Sequence, residues 1–103
     1  MNSRQKGKRG ELELANHLKA KGYDARRGVQ YKGGPESPDV TGLPGVHIEV
    51  KRTEALRLYE ALDQSTRDRG QGEIPVVVHR KSRMPWVVIL TLDDFLKIYE
   101  GRK

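Results

Sequence analysis

SPDVTGLPGVHIEVKR, residues 37–52, carries three charges where a small protein should be building its core. Asp39 follows a proline, and further on Glu49 and Lys51 bracket a valine. From Val46 to Arg52 apolar and polar residues alternate, which is the period of a strand. Val46, Ile48 and Val50 therefore face one side, and His47, Glu49 and Lys51 the other. Pro38 can open a strand but cannot sit inside a central one, so residues 39–41 read as a short strand. GLPG, residues 42–45, is the turn between the two strands.

The register of this hairpin decides its chemistry. A three-residue loop sets Asp39 directly opposite Glu49, with Cβ atoms roughly 5 Å apart. A two-residue turn at Pro44–Gly45 shifts the pairing by one and separates them. Both remain open from the sequence. In the first case two carboxylates repel unless something positive lies between them: a proton, Lys51 or a divalent cation. Mg²⁺ suits the position, because it takes carboxylate oxygens, keeps water and completes its shell with phosphate. Such an ion polarises a phosphodiester and lowers the pKa of bound water. Lys51 would act through its charge, offsetting the charge that grows on the phosphoryl group or positioning the attacking water. The plain alternative is an ordinary Glu–Lys pair on a solvated sheet face.

Outward from the hairpin, residues 9–21 read as a helix stopped by Gly22. Leu14, Ala15 and Leu18 form its apolar stripe, Glu11 falls within that stripe, and Glu13 points away. A charge on a buried face needs a partner. Glu11 either has one, or sits in a frayed first turn, where a carboxylate suits the helix dipole. Residues 23–31 read as a first strand and 32–38 as a loop. Residues 54–69 form a helix with Leu58, Tyr59 and Leu62 on one face, ended by Gly70. Residues 74–79 and 85–92 are apolar runs typical of strands covered on both faces. The last helix has Thr91 as N-cap, Asp94 near a capping-box position, a Leu90–Phe95 staple and Gly101 at its end. The order is α-β-β-β-α-β-β-α, an α/β mixed sheet flanked by helices.

The 103 residues suit one domain, and a hydrophobic share of 35% means a small core. Twenty Lys and Arg against fourteen Asp and Glu give +6. The cations cluster at residues 4–9, at Arg26–Arg27 and in HRKSR (79–83), which favours a polyanion, nucleic acid foremost, over solubility alone. No cysteine is present, which excludes disulfides and thiolate metal sites. No apolar run reaches membrane-spanning length, and no signal-peptide pattern opens the chain. A soluble, intracellular, cytoplasmic protein is the expectation.

Glu11 on the opening helix, PD at 38–39 and EVK at 49–51 resemble the PD-(D/E)XK nuclease superfamily. Within it, KGKRGELELANHLKAKGYDARR, residues 6–27, is similar to the archaeal-type Holliday-junction resolvases. The likeness runs from about residue 7 to 79 and implies a restriction-endonuclease-like core, here a single nuclease domain over residues 1–103. It implies Mg²⁺-dependent DNA phosphodiester hydrolysis, with Mn²⁺ as a substitute, and catalysis by Glu11, Asp39, Glu49 and Lys51. Asp39, Glu49, the Val50 carbonyl and Glu11 (directly or through water) would be metal ligands. A homodimer acting on branched DNA is implied, with the apolar sheet region as interface. Arg26 or Arg27 would match a basic residue near the scissile phosphate, and Ser37 a serine before the aspartate. Lys6, Lys8, Arg9 and Lys32 would add phosphate contacts, which position DNA without reading sequence. Two features depart from the pattern. Leu12 stands where those resolvases commonly carry a basic residue, with Arg9 one turn earlier as a substitute. Gln64 is in range for the glutamine many members use after the lysine, but the helical wheel turns it from the apolar stripe.

Among the remaining candidates, His47 reads as a solvent-facing strand histidine, His17 as exposed and His79 as part of the basic hairpin. Tyr31 reads as a core-edge residue, and Trp86 as core or dimer contact. The reading is a structure-selective DNA endonuclease resolving four-way junctions. Its rivals are a superfamily nuclease acting on nicked, linear or single-stranded DNA, and a non-catalytic basic binding module.

Overall fold

The computed structural model describes residues 3–28 and 37–101, with side chains from residue 7 onward. Its elements are α1 (Ser3–Ala20), β1 (Arg26–Arg27), β2 (Val40–Thr41), β3 (Val46–Arg52), α2 (Leu58–Asp68), β4 (Ile74–Arg80), β5 (Val87–Ile89) and α3 (Leu92–Gly101). They form a mixed five-stranded sheet in the order β1-β2-β3-β4-β5. Only β3 and β4 run parallel; the other neighbours are antiparallel. A parallel pair needs a crossover, and α2 supplies it. The α/β architecture and its element order are those expected from the sequence.

The apolar alternation of β3 splits the core into two layers. On one face Leu14 and Ala15 of α1 bury against Ala25, Val40, Ile48, Val76 and Val78, with Leu18 partly buried beside them. On the other, Ala61 and Leu62 of α2 bury against Val77, flanked by Leu56 and Ile89. β4 thus gives Val76 and Val78 to one layer and Val77 to the other, which is why its sequence is continuously apolar. Helix α1 lies so close to the sheet that a Cβ at Gly10 would stand 2.7 Å from the Arg52 Cβ. Gly22, at φ 100°, ends the helix while the Tyr23 N–H returns to the Leu18 carbonyl at 3.1 Å.

The structure corrects several sequence expectations. Helix α1 begins six residues before Arg9, because Lys, Arg and Gln sustain a helix without contributing to the apolar period. Glu11 is therefore far from a frayed first turn. The first strand is only Arg26–Arg27 within the described residues, and part of the expected 23–31 span lies outside them, as does Tyr31. Helix α2 buries Ala61, Leu62 and Ser65, while Tyr59 is 79% exposed and Leu58 lies at the surface. β5 is an edge strand with Val87 and Val88 exposed, not a strand covered on both faces. The start of α3 is as expected: the Asp94 N–H donates to Thr91 Oγ1 at 3.1 Å. Leu90 joins the core, as does Trp86, but Phe95 remains exposed and stacks on Tyr99 with ring centroids 6.4 Å apart. Among the described residues no helix is long and apolar enough to cross a membrane.

Leu14 is 2% exposed and Tyr59 is not buried, so the two report the core separately. Urea denaturation of Leu14→Ala is expected to lose about 2–5 kcal/mol of stability. Tyr59→Ala is expected to stay within about 0.5 kcal/mol of the parent.

Candidate active site

The hairpin adopts the longer loop. Val40 pairs with Ile48, so Gly42 faces Val46 and residues 43–45 form the turn, closed by the Val46 N–H on the Leu43 carbonyl at 3.1 Å. Gly42 and Gly45 supply the positive φ values, 122° and 87°, that this turn needs. Gly42 also admits Ala25, whose Cα would stand 2.7 Å from an added Cβ. Asp39 is tied to β3 twice: its N–H donates to the Ile48 carbonyl at 2.9 Å, and its Oδ2 accepts the Val50 N–H at 2.8 Å. The recorded contact at Val50 is thus made by its N–H.

This register sets Asp39 opposite Glu49, close enough for each carboxyl to shift the other's titration. Glu11, on α1, lies close enough to Asp39 for the two carboxyls to influence each other. All three carboxylic acids hold their protons above the usual carboxylate range. Burial is the first cause in each case, and their mutual repulsion adds to it. Asp39 is pushed up to about 7 by burial and then by the Glu49 charge, with the Val50 N–H pulling the other way. Arg27 offsets part of the rise at Glu11, its Nε donating to Oε1 at 2.7 Å. At Glu49 the Asp39 hydrogen bond and the Lys51 charge oppose burial, while Asp68 and Glu11 reinforce it.

Lys51 extends from the same strand face as Glu49, and its Nζ donates to Gln64 Oε1 at 3.2 Å. The helical wheel set Gln64 away from a Leu58–Tyr59–Leu62 stripe, but the buried stripe is Ala61–Leu62–Ser65 and Gln64 is half-buried beside it. From there its side chain reaches Lys51 near the C-terminal end of the central strand β3. His79, opposite Lys51 on β4, donates from Nδ1 to the Lys51 carbonyl at 2.8 Å, since a carbonyl can only accept. The sequence offered no signal for that role beyond a histidine in a strand. His47 is a correction: it is 0% exposed, with Nε2 at 3.4 Å from Glu49 Oε1. Strand alternation gave its face, but only the tertiary fold reveals that α2 covers that face.

The basic candidates divide. Lys8 and Arg9 are exposed on α1, Arg26 is exposed and lies 3.5 Å from Asp24, and Arg27 serves Glu11. Ser37 is half-buried just before the Pro–Asp pair, and Leu12 is exposed. The Lys6 side chain and Lys32 lie outside the described residues. Glu13 does not point to solvent alone but pairs with Arg52 at 3.3 Å and with Arg80. His17 is exposed.

The donors suit a hard dication. Among the described residues no group of three His, Cys, Asp or Glu side chains is placed to hold a metal ion. Mg²⁺ does not need one, since it takes one or two carboxylates and fills its shell with water and phosphate. Asp39 and Glu49, set opposite one another across the hairpin, are a carboxylate pair that would suit such an ion.

No family model matches the chain, and no curated protein sequence matches it. Its fold is similar to that of a solved structure, the Holliday junction resolvase Hjc of the archaeal hyperthermophile Archaeoglobus fulgidus. The two share 28% sequence identity with a TM-score of 0.59, over 82% of this chain and 72% of that one. The mixed sheet with its flanking helices is the fold of the PD-(D/E)XK nucleases. Within that superfamily the likeness is to the archaeal-type Holliday-junction resolvases, and it supports a nuclease of that family.

Asp39 loses its proton near pH 7 in the folded protein, against about 3.8 when unfolded. A raised carboxylate contributes stability that is complete below the unfolded value and is lost as pH rises through the folded one. In chelator, Asp39→Asn is therefore expected to match the parent near pH 4 and exceed it by ~1–4 kcal/mol above about pH 8. Denaturant titrations at the two pH values check this.

Proposed function

We propose that the chain is one nuclease domain acting as a Mg²⁺-dependent, structure-selective DNA endonuclease that resolves four-way junctions. One observation carries the proposal: Glu11, Asp39 and Glu49 adjoin one another with Lys51 beside them, in a chain whose fold is similar to that of a resolvase. Asp39, Glu49 and the Val50 carbonyl would hold the metal, with Glu11 binding directly or through water. The ion would supply Lewis acidity toward the phosphodiester and a more acidic water.

The chain's own residues do the rest. Hydrolysis forms one P–O bond to water and breaks another, so negative charge grows on the phosphoryl oxygens. Lys51, held by Gln64, places a fixed positive charge against that growth without reorganising. Asp39 is anchored to β3 through both its N–H and its carboxylate, so its oxygens hold their place. Arg27 keeps Glu11 turned toward the cluster. Lys8, Arg9 and Arg26, with Lys6, Lys32 and Ser37, take the phosphate backbone, and binding weakens steeply with salt.

A second copy of the chain completes the assembly. The edge strand β5 exposes Val87 and Val88, and α3 exposes Leu92, Phe95, Leu96, Ile98 and Tyr99. An exposed apolar edge of this kind is an interface for another chain. A homodimer would present two sites to the two strands of a symmetric junction.

Three measurements test this reading. Asp39→Asn and Lys51→Ala are each expected to reduce cleavage of a four-way junction in Mg²⁺ or Mn²⁺ by at least about 100-fold. Both are expected to retain junction binding in Ca²⁺ or chelator, since phosphate contacts persist. A parent protein that binds but cuts neither junctions, duplexes nor single strands is a binding module. Phe95→Asp is expected to shift the sedimenting species from dimer to monomer, and a parent that sediments as a monomer removes the assembly.

A further inference from the structure

His47 is fully buried, yet both ring nitrogens face carboxylates. Nε2 lies 3.4 Å from Glu49 Oε1, within hydrogen-bond reach. Nδ1 lies 3.6 Å from Glu73 Oε1, on the turn before β4, and has no hydrogen-bond partner in the structure. A polar ring buried this deeply without a function is costly, and an aliphatic side chain would fill the same layer beside Val77. The backbone around it is fixed as well. The β3–β4 pairing runs through it, and the buried Ser65 hydroxyl, which donates to the Val76 carbonyl at 2.9 Å, lies 3.4 Å from the His47 carbonyl. The Glu73 carboxylate is itself positioned, accepting the Gly70 N–H at 2.6 Å.

We propose that His47 is a positioning residue for Glu49: its Nε2–H fixes the carboxylate in the orientation that binds metal. This rests on the metal-dependent reading of the site. Glu49 is held by Asp39 and Lys51 on its outer side, and His47 is the donor on its buried side. A ligand carboxylate pinned from behind presents its free oxygen without losing rotamer freedom on binding. Removal of such a supporting hydrogen bond typically lowers metal affinity about 10–100-fold.

The experiment compares His47→Gln with His47→Asn. The glutamine amide can reach the place of Nε2, whereas the asparagine amide reaches only that of Nδ1. Mn²⁺ binding is read directly by electron paramagnetic resonance on the full chain, alongside thermal unfolding in chelator. His47→Asn is expected to weaken Mn²⁺ binding about 10–100-fold, and His47→Gln to restore most of it at similar thermal stability. Equal Mn²⁺ affinity in the parent and both variants overturns the inference alone. So does equal weakening in both variants that follows their loss of stability, because that is a structural role. A parent that binds no Mn²⁺ overturns the reading of the site, and this inference with it.

Discussion

Asp39 is held where a charged carboxylate is least at ease: half-buried, set opposite Glu49, and within reach of the Glu11 charge. The elements around it create or relieve that strain in charge. The three-residue loop creates it by setting residues 39 and 49 opposite one another. Helix α1 adds to it by carrying Glu11 over β1 and β2, anchored through Leu14 and Ala15. The Val50 N–H, Arg27 and Lys51 relieve it in part. What remains is an acidic site that favours a proton at low pH and, on the proposed reading, a dication at neutral pH. Folding stability and ligand affinity oppose each other at such a site, because the arrangement that repels itself is the one that binds a cation.

The scaffold explains why so small a chain can hold this arrangement. A parallel β3–β4 pair with α2 crossing over it buries strand residues on both faces, so the charged face of β3 is covered rather than solvated. Cover is what turns Glu49 and His47 from surface residues into positioned ones. It also brings Gln64 to Lys51 and Ser65 to the His47 carbonyl, two contacts from one helix separated by one residue step. On the far side of the sheet, the edge strand β5 and α3 keep their apolar residues exposed. The site and the proposed dimer surface therefore belong to different parts of the fold, and changes at one need not disturb the other.

Much of the site was legible because strands have a strict period. Val46, Ile48 and Val50 alternate with His47, Glu49 and Lys51, so the common face of Glu49 and Lys51 followed from the sequence. Pro38 and the GLPG turn placed Asp39 on the neighbouring strand, and the Leu14–Ala15–Leu18 stripe put Glu11 toward the sheet. Element order was legible for the same reason: each helix and strand announced itself by periodicity, a cap or a terminating glycine. Where the pattern gave out, so did the reading. The charged start of α1 has no apolar period to mark it, and the run from 85 to 92 reads alike for an interior strand and for an edge strand awaiting a partner.

The sequence by itself determined the two faces of β3 and the order of elements, because these depend on local backbone geometry, and it named the charged candidates without settling that they meet. Tertiary structure decided the rest. The hairpin register came from how β1, β2 and β3 assemble, and the burial of His47 from α2 packing across its face. The pairing of Lys51 with Gln64 and of Glu11 with Arg27 came from residues 13 and 16 positions apart meeting in space. No periodicity encodes such meetings, since they depend on where whole elements come to rest.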